Sequence, residues 1–198
     1  MTFDEYKVDI PEGQRGNWRI EKFTVSKKEA DFQNMRASFS FSDRGQFIIA
    51  GEYTRLSCNA SVVMSDTPSE ISDHLRFIGQ ANGSILINGL GLGVVVKAIL
   101  MKDNIEKIIV NELSEDVINL VGKYYADPRL TINHADAFTW NPKGIRFNCI
   151  WHDIWTYISE DNLPEMKMLH RRYGHWLQKP FFQDSWGRWD LERRKNHE

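Results

Sequence analysis

The sequence predicts an α/β fold, a parallel sheet with right-handed helical crossovers behind a small β-rich region. From Ser84 onward, apolar strands alternate with helical segments, the order in which a parallel sheet is built. The glycines Gly89, Gly91 and Gly93 fall between the first of these strands and its helix. Before residue 66 the pattern differs, with short runs of alternating apolar and polar residues broken by turn formers, as in strands with one wet face.

In chain order, residues 1–65 form the β-rich region, with about four or five short strands. Trp18 and Ile20 alternate with polar neighbours, Phe39 and Phe41 alternate with serines, and Asp43-Arg44-Gly45 reads as a hairpin turn. Gly45 to Tyr53 fits a strand bent near Gly51, and Ser57 to Met64 fits another. This region is too small for a large core of its own and leans on residues 66–198, the sheet-forming domain. There Pro68 opens a helix to about Gln80, with Ile71, Leu75 and Ile78 at helical spacing. Ser84 to Asn88 is the first strand of the sheet, and Val94, Val95, Ala98, Ile99 and Met101 mark the helix after it. Lys107 to Asn111 is the second strand. It leads to a helix capped by Ser114, with Glu115 and Asp116 at its positive end. Leu130 to His134 and Phe147 to His152 are the third and fourth strands, and Leu163 to Tyr173 is a final helix. An aromatic and basic tail follows through Trp176, Phe181, Trp186 and Trp189. The chain after His152 is too short for three more strand and helix pairs, so the sheet is shortened on that side.

Composition narrows the function. The 198 residues are 41% hydrophobic and 26% charged, which is ordinary for a folded domain. A net charge of −2 gives no general attraction to phosphate backbones, so non-specific nucleic-acid binding is not expected. The most apolar stretch, Ile85 to Leu100, carries Asn88, the glycines and Lys97 and is too short and polar for a membrane span. The first residues, MTFDEYKVDIPEG, lack the basic and then apolar plan of an export signal. The expected address is cytoplasmic, and the sequons at Asn59 and Asn82 then carry no meaning. Cys58 and Cys149 are too few and too far apart for a disulfide framework or a tetrahedral metal site.

The chemistry concentrates at the ends of the predicted strands. Glycines at 89, 91 and 93 allow a tight turn and a close approach of ligand to backbone at a helix start, or they form a plain structural turn. A dinucleotide fingerprint would place its third glycine where Val94 stands, which disfavours nicotinamide or flavin. Glu112 ends the second strand about 20 residues beyond the loop, where an acid can accept both ribose hydroxyls of an adenosine ligand; the plainer alternative is a solvated strand-end carboxylate. Asp136, after the third strand, is placed to accept an adenine amino group. His134 and His152 have no spaced Cys or His partner, and no metal is proposed.

On these residues the chain resembles the class I S-adenosylmethionine-dependent methyltransferase superfamily, most closely its spermidine synthase-like branch. The likeness runs from about Leu56 to Tyr157 through the segments ILINGLGLG, IIVNELSEDVINLV, DPRLTINHADAF and FNCIWHD. It implies a Rossmann-like class I methyltransferase fold with a shortened C-terminal half and a small N-terminal β-rich region. It also implies S-adenosyl-L-methionine as cofactor. Gly89, Gly91 and Gly93 would lie under the methionine part and ribose, Glu112 and Leu113 at the ribose, and Asp136 and Ala137 at the adenine. Asp153 falls on the aspartate that in aminopropyltransferases takes a proton from the attacking amine; its alternative is a turn residue.

Departures from the family point at the acceptor. Leu92 stands where aminopropyltransferases carry an aspartate for the donor amine, and Thr156 and Ser72 replace two polyamine-binding residues. The crevice is therefore expected to be short of carboxylates, with Glu70, Asp73 and His74 either restoring charge or forming one polar helix face. Trp155 is the tryptophan near enough to contact substrate. The resulting reading is a transferase, with methyl transfer to a small-molecule acceptor as the default. Aminopropyl-type chemistry that releases methylthioadenosine is one alternative, and an adenosyl-binding homologue without turnover is another. The shortened sheet and aromatic tail also lead to an expectation of a homodimer.

Overall fold

In a computed structural model the described residues are 3–39 and 48–195. A short helix, α1 (Phe3–Tyr6), leads into an antiparallel sheet of β1 (Gly13–Arg15), β2 (Trp18–Val25), β3 (Gly51–Cys58) and β4 (Ser61–Ser65), hydrogen-bonded in sequence order. Between β2 and β3 lies a helix, α2 (Lys27–Phe39), where the serine and phenylalanine alternation predicts strand. Its start is a capping box: Ser26 Oγ accepts from Glu29 N, while Glu29 Oε2 accepts from Ser26 N at 2.9 Å. The turn expected at Asp43-Arg44-Gly45 lies outside the described residues, as do Phe41 and the start of the strand expected from Gly45. The strand expected over Ser57–Met64 is interrupted, because Asn59 and Ala60 take φ of 50° and 66° and reverse the chain between β3 and β4.

The second sheet is entirely parallel and has five strands in the order β7 (Leu130–His134), β6 (Ile105–Glu112), β5 (Gly83–Asn88), β8 (Phe147–His152), β9 (Leu177–Ser185). Four of these are the strands that the sequence predicts; β9 lies where the sequence predicts only an aromatic and basic tail. Its burial pattern is that of an edge strand, and Pro180 sits in it where a missing N–H costs the ladder least.

Helices α3 (Pro68–Gln80), α4 (Val94–Leu100) and α5 (Glu115–Val121) cover one face of the sheet through Ile71, Phe77, Val96, Ile99, Val117 and Val121 against Ile85, Ile87, Ile108 and Val110. The other face, carrying Leu86, Ile109 and Ile150, is covered by α6 (Asn162–Gly174) through Leu169 and Tyr173. The last helix, α7 (Arg188–Lys195), packs Leu191 against Leu163 and Met166 of α6. Side chains therefore alternate between two cores, and residues just past the strand ends are left to line the crevice above the sheet. Trp18 and Met64 of the antiparallel sheet pack on the first core and close that crevice from the side. Most of the late aromatics are used internally, Trp140 and Trp176 in the second core and Trp186 in the first, while Phe181 and Trp189 stay exposed. Among the described residues, no helix is long and apolar enough to cross a membrane.

Candidate functional site

A cavity of about 400 Å³ opens at the carboxyl ends of the parallel strands, with Gly89, Gly91, Glu112, Leu113, Asp136, Ala137 and Asp153 in its wall. Glu70, His74 and Trp155 line it as well. Of the residues singled out from sequence, Gly93 and Asp73 are the two outside that wall. Gly93 is the N-cap of α4 at φ 74°, against the ring of Tyr125. The Asp73 carboxyl accepts from Trp186 Nε1 at 3.2 Å.

The glycine loop is set by close approach. Gly89 has φ 101°, and a Cβ there would overlap the carbonyl oxygen of Asp153, so only glycine lets the ends of β5 and β8 meet. One backbone bond ties these ends together, Asp153 N donating to Asn88 O at 2.7 Å, and a second ties β5 to β6, Gly89 N donating to Asn111 O at 2.8 Å. Across the loop, Leu92 N donates to the thioether of Met64 at 3.0 Å, which latches the antiparallel sheet to the site.

Glu112 and Asp136 are both held by amides. Glu112 Oε2 accepts from Leu90 N and Oε1 from Ser114 N, each at 2.8 Å. Each oxygen keeps a second lone pair for a ligand hydroxyl. Asp136 Oδ1 accepts from Phe138 N at 2.8 Å, beside the apolar surface of Ala137 and Phe138. The carboxylates are thus aimed without the loss of side-chain freedom that a mobile acid would incur on binding.

The opposite side is built differently. Asp153 is partly buried, and desolvation, helped by the negative field of Glu70, pushes its carboxyl up to about 7. His74 Nε2 lies 3.9 Å from Asp153 Oδ2. Burial pushes the His74 imidazole down to about 4, so at neutral pH this is a contact between a neutral ring and a carboxyl group rather than an ion pair. Among the described residues His74 Nδ1 has no hydrogen-bond partner, although the ring of His74 packs edge-on to Trp151 at 5.9 Å. Glu70 accepts from Ser65 N and Ser65 Oγ at 2.6 Å each, yet burial still raises its carboxyl.

The crevice is not short of carboxyl groups, contrary to what the missing family residues imply. Glu70, Glu112, Asp136, Asp153 and Glu165 all line it, and among the described residues no Lys or Arg does. The position of the family's loop aspartate gives no compensation, since Leu92 is fully buried and points away from the cavity. Sequence reading missed Trp18, Met64, Phe138, Glu165 and Trp186. Glu165 carried a usable signal, lying in the first turn of the predicted final helix beside Trp155, whose Nε1 donates to it at 2.7 Å.

No family model and no curated protein matches the chain. Among solved structures, it is similar to spermidine synthase from Thermotoga maritima, with a TM-score of 0.53 and 17% identity over 89% of this chain and 55% of that one. It is similar to the same degree to a spermidine synthase in complex with the transition state analogue AdoDATO, with a TM-score of 0.54, 17% identity and the same coverage. A plantazolicin methyltransferase, BpumL, in complex with SAH matches over 58% of this chain and 42% of its own, with a TM-score of 0.43 and 16% identity. The chain spans about half the length of the spermidine synthases it matches. The likeness is one of fold, a Rossmann-like α/β arrangement around a parallel five-stranded sheet.

Proposed function

We propose that this chain binds S-adenosylmethionine and is a transferase that passes its methyl group to a small-molecule acceptor. The observation that carries this reading is the convergence of Gly89, Gly91, Glu112, Asp136 and Asp153 on one cavity at the strand ends. The residues fit the ligand: Gly89 and Gly91 bring bare backbone to the cavity wall, and Glu112 presents free lone pairs where a ribose would lie. Leu113, Ala137 and Phe138 offer apolar surface for the adenine, next to Asp136.

When bound, the sulfonium supplies an electrophilic carbon. The acids that line the wall suit the positive charge of the sulfonium and select an acceptor that arrives as a cation, an ammonium. Ionised Asp153 would hold that ammonium and take one proton from it, freeing the nitrogen lone pair that would form the N–C bond while the S–C bonding pair leaves with the sulfur. A carboxyl titrating near 7 is matched to that task at neutral pH.

A second reading, transfer of the three-carbon arm of a decarboxylated donor, is favoured by one feature. Among the described residues no cation lines the cavity to receive the carboxylate of an amino-acid donor. Calorimetric titration with S-adenosylmethionine and S-adenosylhomocysteine tests the site, and product analysis with amine acceptors separates the readings. S-adenosylhomocysteine means methyl transfer, and methylthioadenosine means arm transfer. Tight binding with neither product would identify an adenosyl-binding protein without turnover. A dimer, joined through the surface where Phe181 and Trp189 are exposed, completes the proposal. A single species at the 23.1 kDa chain mass on sedimentation would refute it.

A further inference from the structure

Beneath the strand ends, one polar side chain from each strand of the parallel sheet joins a continuous row. Asn133 Nδ2 on β7 donates to Asn111 Oδ1 on β6 at 3.2 Å, and Asn111 Nδ2 donates to Asn88 Oδ1 on β5 at 2.9 Å. Asn88 Nδ2 lies 2.8 Å from His152 Nδ1 on β8, and the Gln183 carboxamide on β9 reaches His152 Nε2 at 3.0 Å. The backbone register supports the row, since Asn88 pairs with both Asn111 and His152, and Asn111 with Asn133.

Donor bookkeeping gives the row a direction. Each asparagine spends one N–H on the next side-chain oxygen, so Asn88 arrives at His152 as a donor and Nδ1 must accept. The neutral ring then carries its proton on Nε2. An amide nitrogen cannot receive it, so Gln183 presents its carboxamide oxygen there after a half-turn about its last torsion. Burial keeps the ring neutral, as this order requires.

The row lies on the sheet face whose next inward residues are Leu86, Ile109 and Ile150, all apolar. Buried amides are costly to desolvate, and apolar side chains of similar size would pack this layer at least as stably. What the polar row adds is register, at the level where register matters to the site. Asn88 precedes Gly89, Asn111 precedes Glu112, and His152 precedes Asp153. Asn111 itself reaches the cavity wall.

We infer that the side-chain ladder from Asn133 through Asn111, Asn88 and His152 to Gln183 is a positioning device that fixes the ends of the parallel strands relative to one another and so sets the spacing of Glu112 and Asp153. The inference rests on the reading of the cavity as an adenosyl-ligand site for its functional half, and on the hydrogen-bond geometry alone for its structural half.

Both ends of the ladder lie outside the cavity wall, which makes the test direct. In Asn133→Leu and Gln183→Leu, backbone amide resonances of Gly89, Glu112 and Asp153 should move in both variants, although each change lies at an outer strand. Affinity for S-adenosylhomocysteine should fall about threefold to tenfold, the consequence of a ladder bond lost away from the ligand. Resonance changes confined to the substituted strand and its neighbour, with affinity within twofold of the parent, would overturn the ladder as a positioning device. If the parent chain does not bind S-adenosylhomocysteine, the ligand reading falls, and the amide resonances still decide the ladder. A nitrogen-15 spectrum of the unaltered chain gives an independent check should the variants not fold. It should show His152 bare at Nδ1 and protonated at Nε2 from pH 5.5 to 8, and a ring protonated at Nδ1 overturns the donor order.

Discussion

The two sides of the cavity hold their acids differently. Glu112 is met by the amides of Leu90 and Ser114, and Asp136 by that of Phe138. On the side of α3 and β8, Glu70 is also met by Ser65, but Asp153 rises to about 7, His74 falls to about 4, and among the described residues His74 Nδ1 has no partner. An acid fixed by amides suits recognition, and a carboxyl raised toward neutrality suits proton exchange. Under the proposed function the first side holds the ligand and the second carries the reaction, and each step of that assignment can be broken.

The largest effect belongs to Asp153. With an amine acceptor, Asp153→Asn should lower turnover by roughly 10² to 10⁴, with affinity for S-adenosylhomocysteine nearly unchanged. Equal losses in affinity and turnover would mean that the two sides do not divide the labour. Next comes Glu112→Ala, which removes a carboxylate already aimed by two amides. It should weaken binding by one to two orders of magnitude, since a charge-assisted hydrogen bond is worth about 1.5 to 3 kcal/mol. Full affinity in a folded Glu112→Ala chain would leave the first side without its central contact.

A third consequence is in the pH profile. As a base, Asp153 must be ionised, so the rate should climb about tenfold per pH unit below about 7 and level off above it. A rate that falls through this range would instead make the protonated carboxyl the working form.

The glycine loop between strand and helix, the acid at the next strand end and the serine cap, which accepts from Val117 N, were legible in the sequence because these signals are local. The side of α3 and β8 was less so. That Glu70, His74 and Asp153 face one another depends on how α3 lies across β8, and no spacing within either segment encodes this. The same limit applies to β9, where Pro180 and a largely exposed pattern hide a strand that exists because β8 offers it an edge. Asn59-Ala60 lacks a glycine, so its left-handed turn left no mark. The helix α2 did leave one, since Ser26 and Glu29 have capping-box spacing, but its apolar residues have no helical face and Phe32 and Met35 stay exposed.

The smallest effect concerns stability, and it sharpens the comparison because Asp153 and His74 pull in opposite directions with pH. Asp153 ionises at about 7 in the folded chain and near 4 when unfolded, so the native state holds a proton that the unfolded state has lost, and its contribution to stability fades as pH rises from about 4 to about 7. His74 is the reverse: the unfolded ring takes a proton below about 6.5 and the native ring only below about 4, so its contribution is complete above 6.5 and fades as pH falls to 4. Between about 4 and 6.5 these two contributions oppose each other. Relative to the parent, His74→Phe removes the rising contribution, so the difference in stability between variant and parent should decline by up to about 1.4 kcal/mol per pH unit across that window. Relative to the parent, Asp153→Asn removes the falling contribution, so its difference should rise with pH. At pH 8 the His74→Phe chain should match or exceed the parent by about 1 kcal/mol, because it removes a buried ring nitrogen that has no partner among the described residues. Urea melts from pH 4.5 to 8 read both slopes, and parallel curves for the two variants would show that the second side of the cavity is no more strained than the first.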